Sequence, residues 1–119
     1  MDAVATYRQA AVTTQSKGRI IVMLYDGAIK FLKLAAKAIE EHDYADKGHY
    51  LNKALDIIDE LNMSLDMEAG GEISQNLRKL YVFMGGHLGQ ANTKSDAKMV
   101  REVIALLEEL NQGWRAIAD

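Results

Sequence analysis

The run Ile20-Ile21-Val22-Met23-Leu24-Tyr25-Asp26-Gly27-Ala28-Ile29-Lys30-Phe31-Leu32 constrains this chain more than any other stretch. Its apolar residues recur at helical spacing, but they cover more than one face of the helix. A helix lying on a core needs only a stripe of about three apolar positions in seven. This one also carries an acid and a glycine, Asp26 and Gly27, at its centre. A chain of 119 residues has no large core in which to hide such a helix. The second apolar face therefore needs another owner.

That length fits one domain, residues 1–119, long enough to bury a core without disulfides or metals. The chain has no cysteine, which excludes disulfides, thiolate catalysis and Cys-ligated metal centres. A formal net charge of -3 gives no bulk electrostatic case for nucleic acid. No apolar run approaches the ~18–20 residues that cross a bilayer. The start of the chain lacks the basic and apolar regions of a secretory signal. There are no prolines, and 49% of the residues are hydrophobic. Both facts favour long, uninterrupted helices.

The spacing predicts an N-terminal segment, residues 1–15, and four helices over residues 16–119. Helix 1 starts near Ser16 as N-cap and follows Ile21, Leu24, Ala28, Phe31, Ala35 and Ile39 to about His42. Asp43 caps helix 2, whose stripe runs from Leu51 through Ala54, Ile58 and Leu61 to Leu65. Gly70-Gly71 punctuates, because glycine readily takes the left-handed conformation at a helix end. Helix 3 carries Ile73, Leu77, Leu80, Tyr81, Met84 and Leu88. The polar stretch from Asn92 to Asp96 reads as the next turn. Helix 4 carries Met99, Val103, Leu107, Leu110, Trp114 and Ile117, with Trp114 expected to be substantially buried. Four helices joined by short loops imply antiparallel neighbours, so the expected fold is an all-α, up-down four-helix bundle. Gly85, Gly86 and Gly89 break a local rule, since each costs about 1 kcal/mol against alanine inside a helix. They predict either a weakened, kinked helix end or the close approach of another backbone.

Catalytic patterns are missing. No Glu-x-x-His, His-Glu-x-x-His, phosphate loop or dinucleotide fingerprint occurs. His42, His49 and His87 are far apart, and the acidic pairs read as solvated helix faces. His87, flanked by glycines, is the one candidate for a histidine phosphotransfer bundle. Lys30, Lys33 and Lys37 share a helical face, without the aromatic or arginine interleaving of a nucleic-acid stripe. The chain therefore reads as a non-enzyme with no cofactor and no metal site. What remains is apolar surface off the main stripes: Val22, Ile29, Ile57, Val82, Phe83 and Ile104. Six methionines add adaptable surface. Contiguous apolar patches mark partner sites, and helix-in-groove docking suits a bundle. A homodimer that buries this surface against itself is the alternative.

Several blocks in order resemble the flagellar export chaperone family, the FliS-type chaperones of flagellin. Tyr7 and Val12-x-Thr14 are similar to its N-terminal signature. Met23-Leu24-Tyr25-Asp26-Gly27-Ala28-Ile29-x-Phe31-Leu32 resembles its most recognisable block. Ala54-x-x-Ile57-Ile58-x-x-Leu61-x-x-Ser64-Leu65-Asp66, then Gly70-Gly71-Glu72-Ile73, resembles the second. Asn76-Leu77-x-x-Leu80-Tyr81 and Leu106-Leu107-x-x-Leu110-x-x-x-Trp114 complete the match. Two features depart from it. Ser16 is followed by Lys17 where the family often has proline, and the three helix 3 glycines replace larger helix formers.

The resemblance implies a cytoplasmic chaperone, monomer or homodimer, for the disordered C-terminal segment of flagellin. The export apparatus and other flagellar regulators are further partner candidates. It implies a cargo groove between helices 2 and 3 with parts of helix 1. Ile57, Leu61, Leu65, Ile73, Leu77 and Tyr81 are its expected contacts, several of them shared with the core. Leu24 and Tyr25 join them from helix 1, and Tyr7 and Thr14 from the N-terminal segment. Ile57, off the core stripe, is the expected clean test position. The segment around Tyr7 is expected to act as a latch over the groove that cargo displaces.

Overall fold

A computed structural model describes residues 17–118. Within them run α1 (Lys17–Glu40), α2 (Tyr44–Met63), α3 (Gly71–Lys94) and α4 (Ala97–Ile117). No strand occurs among the described residues. The expected Ser16 cap, and Tyr7 and Thr14 with the proposed latch, lie outside the described residues.

Connections of a few residues leave no room for a crossover, so consecutive helices pack antiparallel. α1 lies between α2 and α4 and packs extensively on both, while α3 closes the ring against the same two helices more lightly. This answers the question posed by the apolar run. The broad face of α1 is shared between two neighbours: Tyr25, Ala28, Leu32, Ala35 and Ile39 are buried, and so are Ile29, Ala36 and Ala38. Alanine at four of these positions lets the flanking helices come close. Ile29 and Ile104, expected to be spare surface, are core residues for the same reason. Fully buried Leu32, Leu51, Leu88 and Leu107 each contribute about 1.5–3 kcal/mol relative to exposure.

The helix ends follow local chemistry. His42 takes a left-handed φ of 58° after α1. Asp43 then caps α2, its carboxylate accepting from the Asp46 N–H at 3.0 Å. α2 stops at Met63, two residues before the expected Leu65, which sits in the connection instead. Ser95, with φ 48°, ends α3, and the Asp96 carboxylate accepts from the Lys98 and Met99 N–H groups at the start of α4. Lys47 Nζ donates to the Asn92 carbonyl and to Ser95 Oγ. It thus places a cation at the negative C-terminal end of α3.

α3 is longer than expected. Asn92, Thr93 and Lys94 belong to it rather than to a turn. Ala91 is buried and holds the last turn to the core. The Thr93 hydroxyl donates back to the Gly89 carbonyl at 3.1 Å. Gly85, Gly86 and Gly89 lie within α3. The helix continues through them, and a Cβ at any of the three would meet no atom within 4 Å. Their neighbours Met84 and Leu88 are buried on the inner face, which offsets the weak propensity. Trp114 is half-buried against the core.

Candidate functional site

Leu24, Tyr25, Asp26 and Gly27 sit on consecutive faces of α1 and do four different things. The Leu24 side chain is half-buried against the core. Tyr25 points inward and is completely buried. Its hydroxyl lies 2.6 Å from the Tyr81 hydroxyl of α3, joining the two helices that share no backbone contact. The rings meet edge-on at 6.5 Å, and Trp114 of α4 lies 6.3 Å from Tyr25 on another side. Burial pushes both phenols above their ordinary pKa, because a phenolate there loses its hydration.

Asp26 turns toward α4. Arg115 Nη2 donates to both of its oxygens at 2.6 and 2.7 Å, and Asn111 Nδ2 donates to Oδ1 at 2.9 Å. The acid in the middle of α1 is therefore a cross-helix tie. Roughly half-exposed, the ion pair itself is worth about 0–1 kcal/mol. Gly27 turns toward α2: a Cβ there would stand 3.3 Å from Ile57 Cδ1. Glycine at this position lets α2 approach. Ile57 is accordingly half-buried against the core, so a charge at Ile57 would disturb the α1–α2 contact as well as any groove.

The α2–α3 connection is built on Asp66. Its carboxylate accepts from the Glu68 and Ala69 N–H groups. Its carbonyl accepts from the Gly70 N–H and from the Ser74 hydroxyl. Gly70 is enclosed so closely that an added Cβ would stand 2.7 Å from the Asp66 carbonyl oxygen. Gly71 has φ +52°. The Ser-Leu-Asp and Gly-Gly blocks thus form one rigid corner that sets the start of α3.

The ten residues expected to hold cargo divide by depth. Leu61, Leu77, Tyr81 and Tyr25 are in the core. Leu24, Ile57 and Leu65 are half-buried around it. Ile73 is exposed, at 70%. Tyr7 and Thr14 lie outside the described residues. Further exposed apolar side chains are Met63 at the end of α2, 75% exposed, and Val82 and Phe83 along α3, at 63% and 51%. The most lightly packed helix thus carries three exposed apolar side chains, Ile73, Val82 and Phe83, at different angles around its axis. Val82 and Phe83 were visible in the sequence as off-stripe residues. Arg115 and Asn111 were not, although an acid inside an apolar helix was the signal that a partner existed. His87 is stacked on Phe83 and sits 3.2 Å from Glu102 Oε1, so its Nε2 is already engaged. Among the described residues no group of acids and histidines is arranged to hold a metal ion, and no helix is long and apolar enough to cross a membrane.

Comparison with known proteins gives a consistent picture. The family model described as "Flagellar protein FliS" matches residues 1–119. The "Flagellar secretion chaperone FliS" of Salmonella typhimurium is 41% identical over 111 residues, 92% of this chain and 82% of that one. The protein of the same description from Bacillus subtilis is 38% identical over 92% of this chain and 80% of its own. "Flagellar secretion chaperone FliSB" of Pseudomonas aeruginosa is 37% identical over 99% and 97%. A solved structure described as a flagellar chaperone from bacteria superimposes with a TM-score of 0.80 over 97% of this chain and 96% of its own. At 15% identity it supports the fold alone.

Proposed function

The chain belongs to the flagellar protein FliS family, and on that premise we propose that it holds the disordered C-terminal segment of flagellin in the cytoplasm, prevents its premature polymerisation and keeps it competent for export. It is a flagellar secretion chaperone, not an enzyme. The observation that carries the cargo assignment is the set of exposed apolar side chains on α3, the helix with the lightest packing. An amphipathic cargo helix laid along one flank of α3 exchanges exposed Ile73 and Phe83 for buried contact. Leu65 flanks the adjoining α2–α3 groove, and Ile57 stands at the α1–α2 contact beside it. Leu61, Leu77 and Tyr81, with Leu24 and Tyr25 beneath them, supply its floor. Residues 1–15, with Tyr7 and Thr14, cover the groove until cargo displaces them.

Ordering a disordered segment offsets part of the contact energy. The complex is then held by several apolar contacts, and cargo is released without a nucleotide-driven step.

Ile73→Glu combined with Phe83→Glu tests the reading, because both side chains stand free of the core. Affinity for a flagellin C-terminal fragment, measured by titration calorimetry, should fall at least about tenfold, as at interface anchors. Circular dichroism should stay helical. Unchanged affinity in a folded variant places the groove elsewhere. A variant that changes only the size of the free protein in gel filtration makes the face a homodimer surface instead.

A further inference from the structure

The opposite side of the molecule carries a feature that cargo binding on α3 does not use. Asn111 of α4 is 5% exposed. Its Nδ2 donates to Asp26, which fixes the amide's orientation, and its Oδ1 is buried with no hydrogen-bond partner among the described residues. A buried carbonyl oxygen left without a donor costs about 1–3 kcal/mol. Asn111 lines a groove between α1 and α4, whose walls include Asp26, Ile29, Lys33, Glu108 and Arg115. That groove runs into a shallow depression on α1 floored by Ile29 and Leu34 and fenced by Lys30, Lys33 and Lys37. The two share Asp26, Ile29 and Lys33, so they form one continuous surface.

The charges along it are available. Lys30 makes no ion pair among the described residues. Lys33 reaches Glu108 only at 3.7 Å and Lys37 reaches Glu41 at 3.8 Å, all four side chains being at least half-exposed. Pairs of that kind contribute little and exchange readily. In a chain of net charge -3, three cations in a row over an apolar floor define a local preference that the whole molecule lacks.

We propose that this α1–α4 groove is a second binding site, for an acidic amphipathic helical segment of a partner chain other than the cargo. Carboxylates at i, i+3 and i+7 match the lysine row, which has the same spacing. An apolar side chain between them covers Ile29 and Leu34. At the α4 end the segment passes over Asn111. The cargo face on α3 and this groove lie on different helices, so both segments are held at once.

The test uses the full chain and a fluorescent synthetic helical peptide with glutamates at i, i+3 and i+7 around one leucine, beside a lysine counterpart. Anisotropy should show saturable, salt-weakened binding of the acidic peptide and none of the lysine peptide. Lys30→Glu, a solvent-exposed change, should weaken the acidic peptide about tenfold and leave the flagellin C-terminal fragment unaffected. The Asn111 side-chain amide resonance should shift on saturation. Absence of binding, or binding indifferent to Lys30→Glu, overturns the proposal. A parallel loss of flagellin affinity also overturns it, making the groove part of the cargo path. An unmoved Asn111 amide places the peptide away from the α4 end and overturns the continuous-groove assignment.

Discussion

Replacing Tyr81 by phenylalanine removes one hydroxyl from a pair that is sealed from water. Tyr25 is fully buried and Tyr81 is 3% exposed. Their 2.6 Å hydrogen bond contributes about 0.5–1.5 kcal/mol net, whereas a hydroxyl orphaned in the core costs about 1–3 kcal/mol. The neighbouring Trp114 cannot rescue the Tyr25 O–H, because an indole N–H only donates. Tyr81→Phe and Tyr25→Phe should therefore each cost about 2 kcal/mol. The double variant leaves no orphan and should cost about 1 kcal/mol or less, giving a coupling on the order of 2–3 kcal/mol. Urea unfolding, followed by circular dichroism and by the fluorescence of the single tryptophan, measures all four corners. The pair also sets an alkaline limit. Both phenols ionise at higher pH in the folded chain than in the unfolded chain. Above about pH 10 the unfolded chain releases these protons first. Their stabilisation is thus complete below that pH and is lost as pH rises through the raised folded values. The double phenylalanine variant should lose this part of the alkaline sensitivity. Single variants that cost less than about 0.5 kcal/mol, with additive effects in the double, would refute the reasoning.

Three further outcomes are expected. Gly27→Ala should stay within about 1 kcal/mol of the parent, since helix propensity gains about what the 3.3 Å contact with Ile57 loses, whereas Gly27→Leu should cost about 1–3 kcal/mol by overpacking, both read from urea midpoints. Asp26→Ala should destabilise more than Arg115→Ala, about 1–3 against about 0–1 kcal/mol, because it also strips Asn111 Nδ2 of its acceptor; equal losses in thermal unfolding would contradict this. Deleting residues 1–14 should tighten flagellin binding, since only the open fraction of a covered groove is competent. It should also make the free protein self-associate. Weaker binding by a monomeric deletion variant would make the segment a direct contact.

Periodicity was enough to find the helices, because the stripes Leu51-Ala54-Ile58-Leu61 and Met84-Leu88 are the ones that became core. Capping chemistry was equally local, as Asp43 shows. What periodicity missed depends on partners distant in sequence. Ile29 and Ile104 looked surplus because a one-faced helix was the reference, yet α1 and α4 are each pressed from two sides. Asn92 and Thr93 looked like a turn by composition, but burial of Ala91 carries the helix past them. The Asp26–Arg115 and Tyr25–Tyr81 contacts span 89 and 56 residues, and no local pattern announces them. Of the expected groove residues that the structure describes, Ile73 is the exposed one. Leu61, Leu77 and Tyr81 obey the same periodicity whether they face a core or the floor of a groove.

The place of α1 between α2 and α4 has a consequence for synthesis. α2 leaves the ribosome directly after α1 and can cover one side at once. The other side waits for α4, which ends at Ile117. At about 5–20 residues per second, that is a delay of several seconds during which Tyr25, Ile29 and Leu32 have no α4 to lie against. The nascent chaperone is then, for a short time, as adhesive as the cargo it will serve. Truncation within α4 would make that interval permanent.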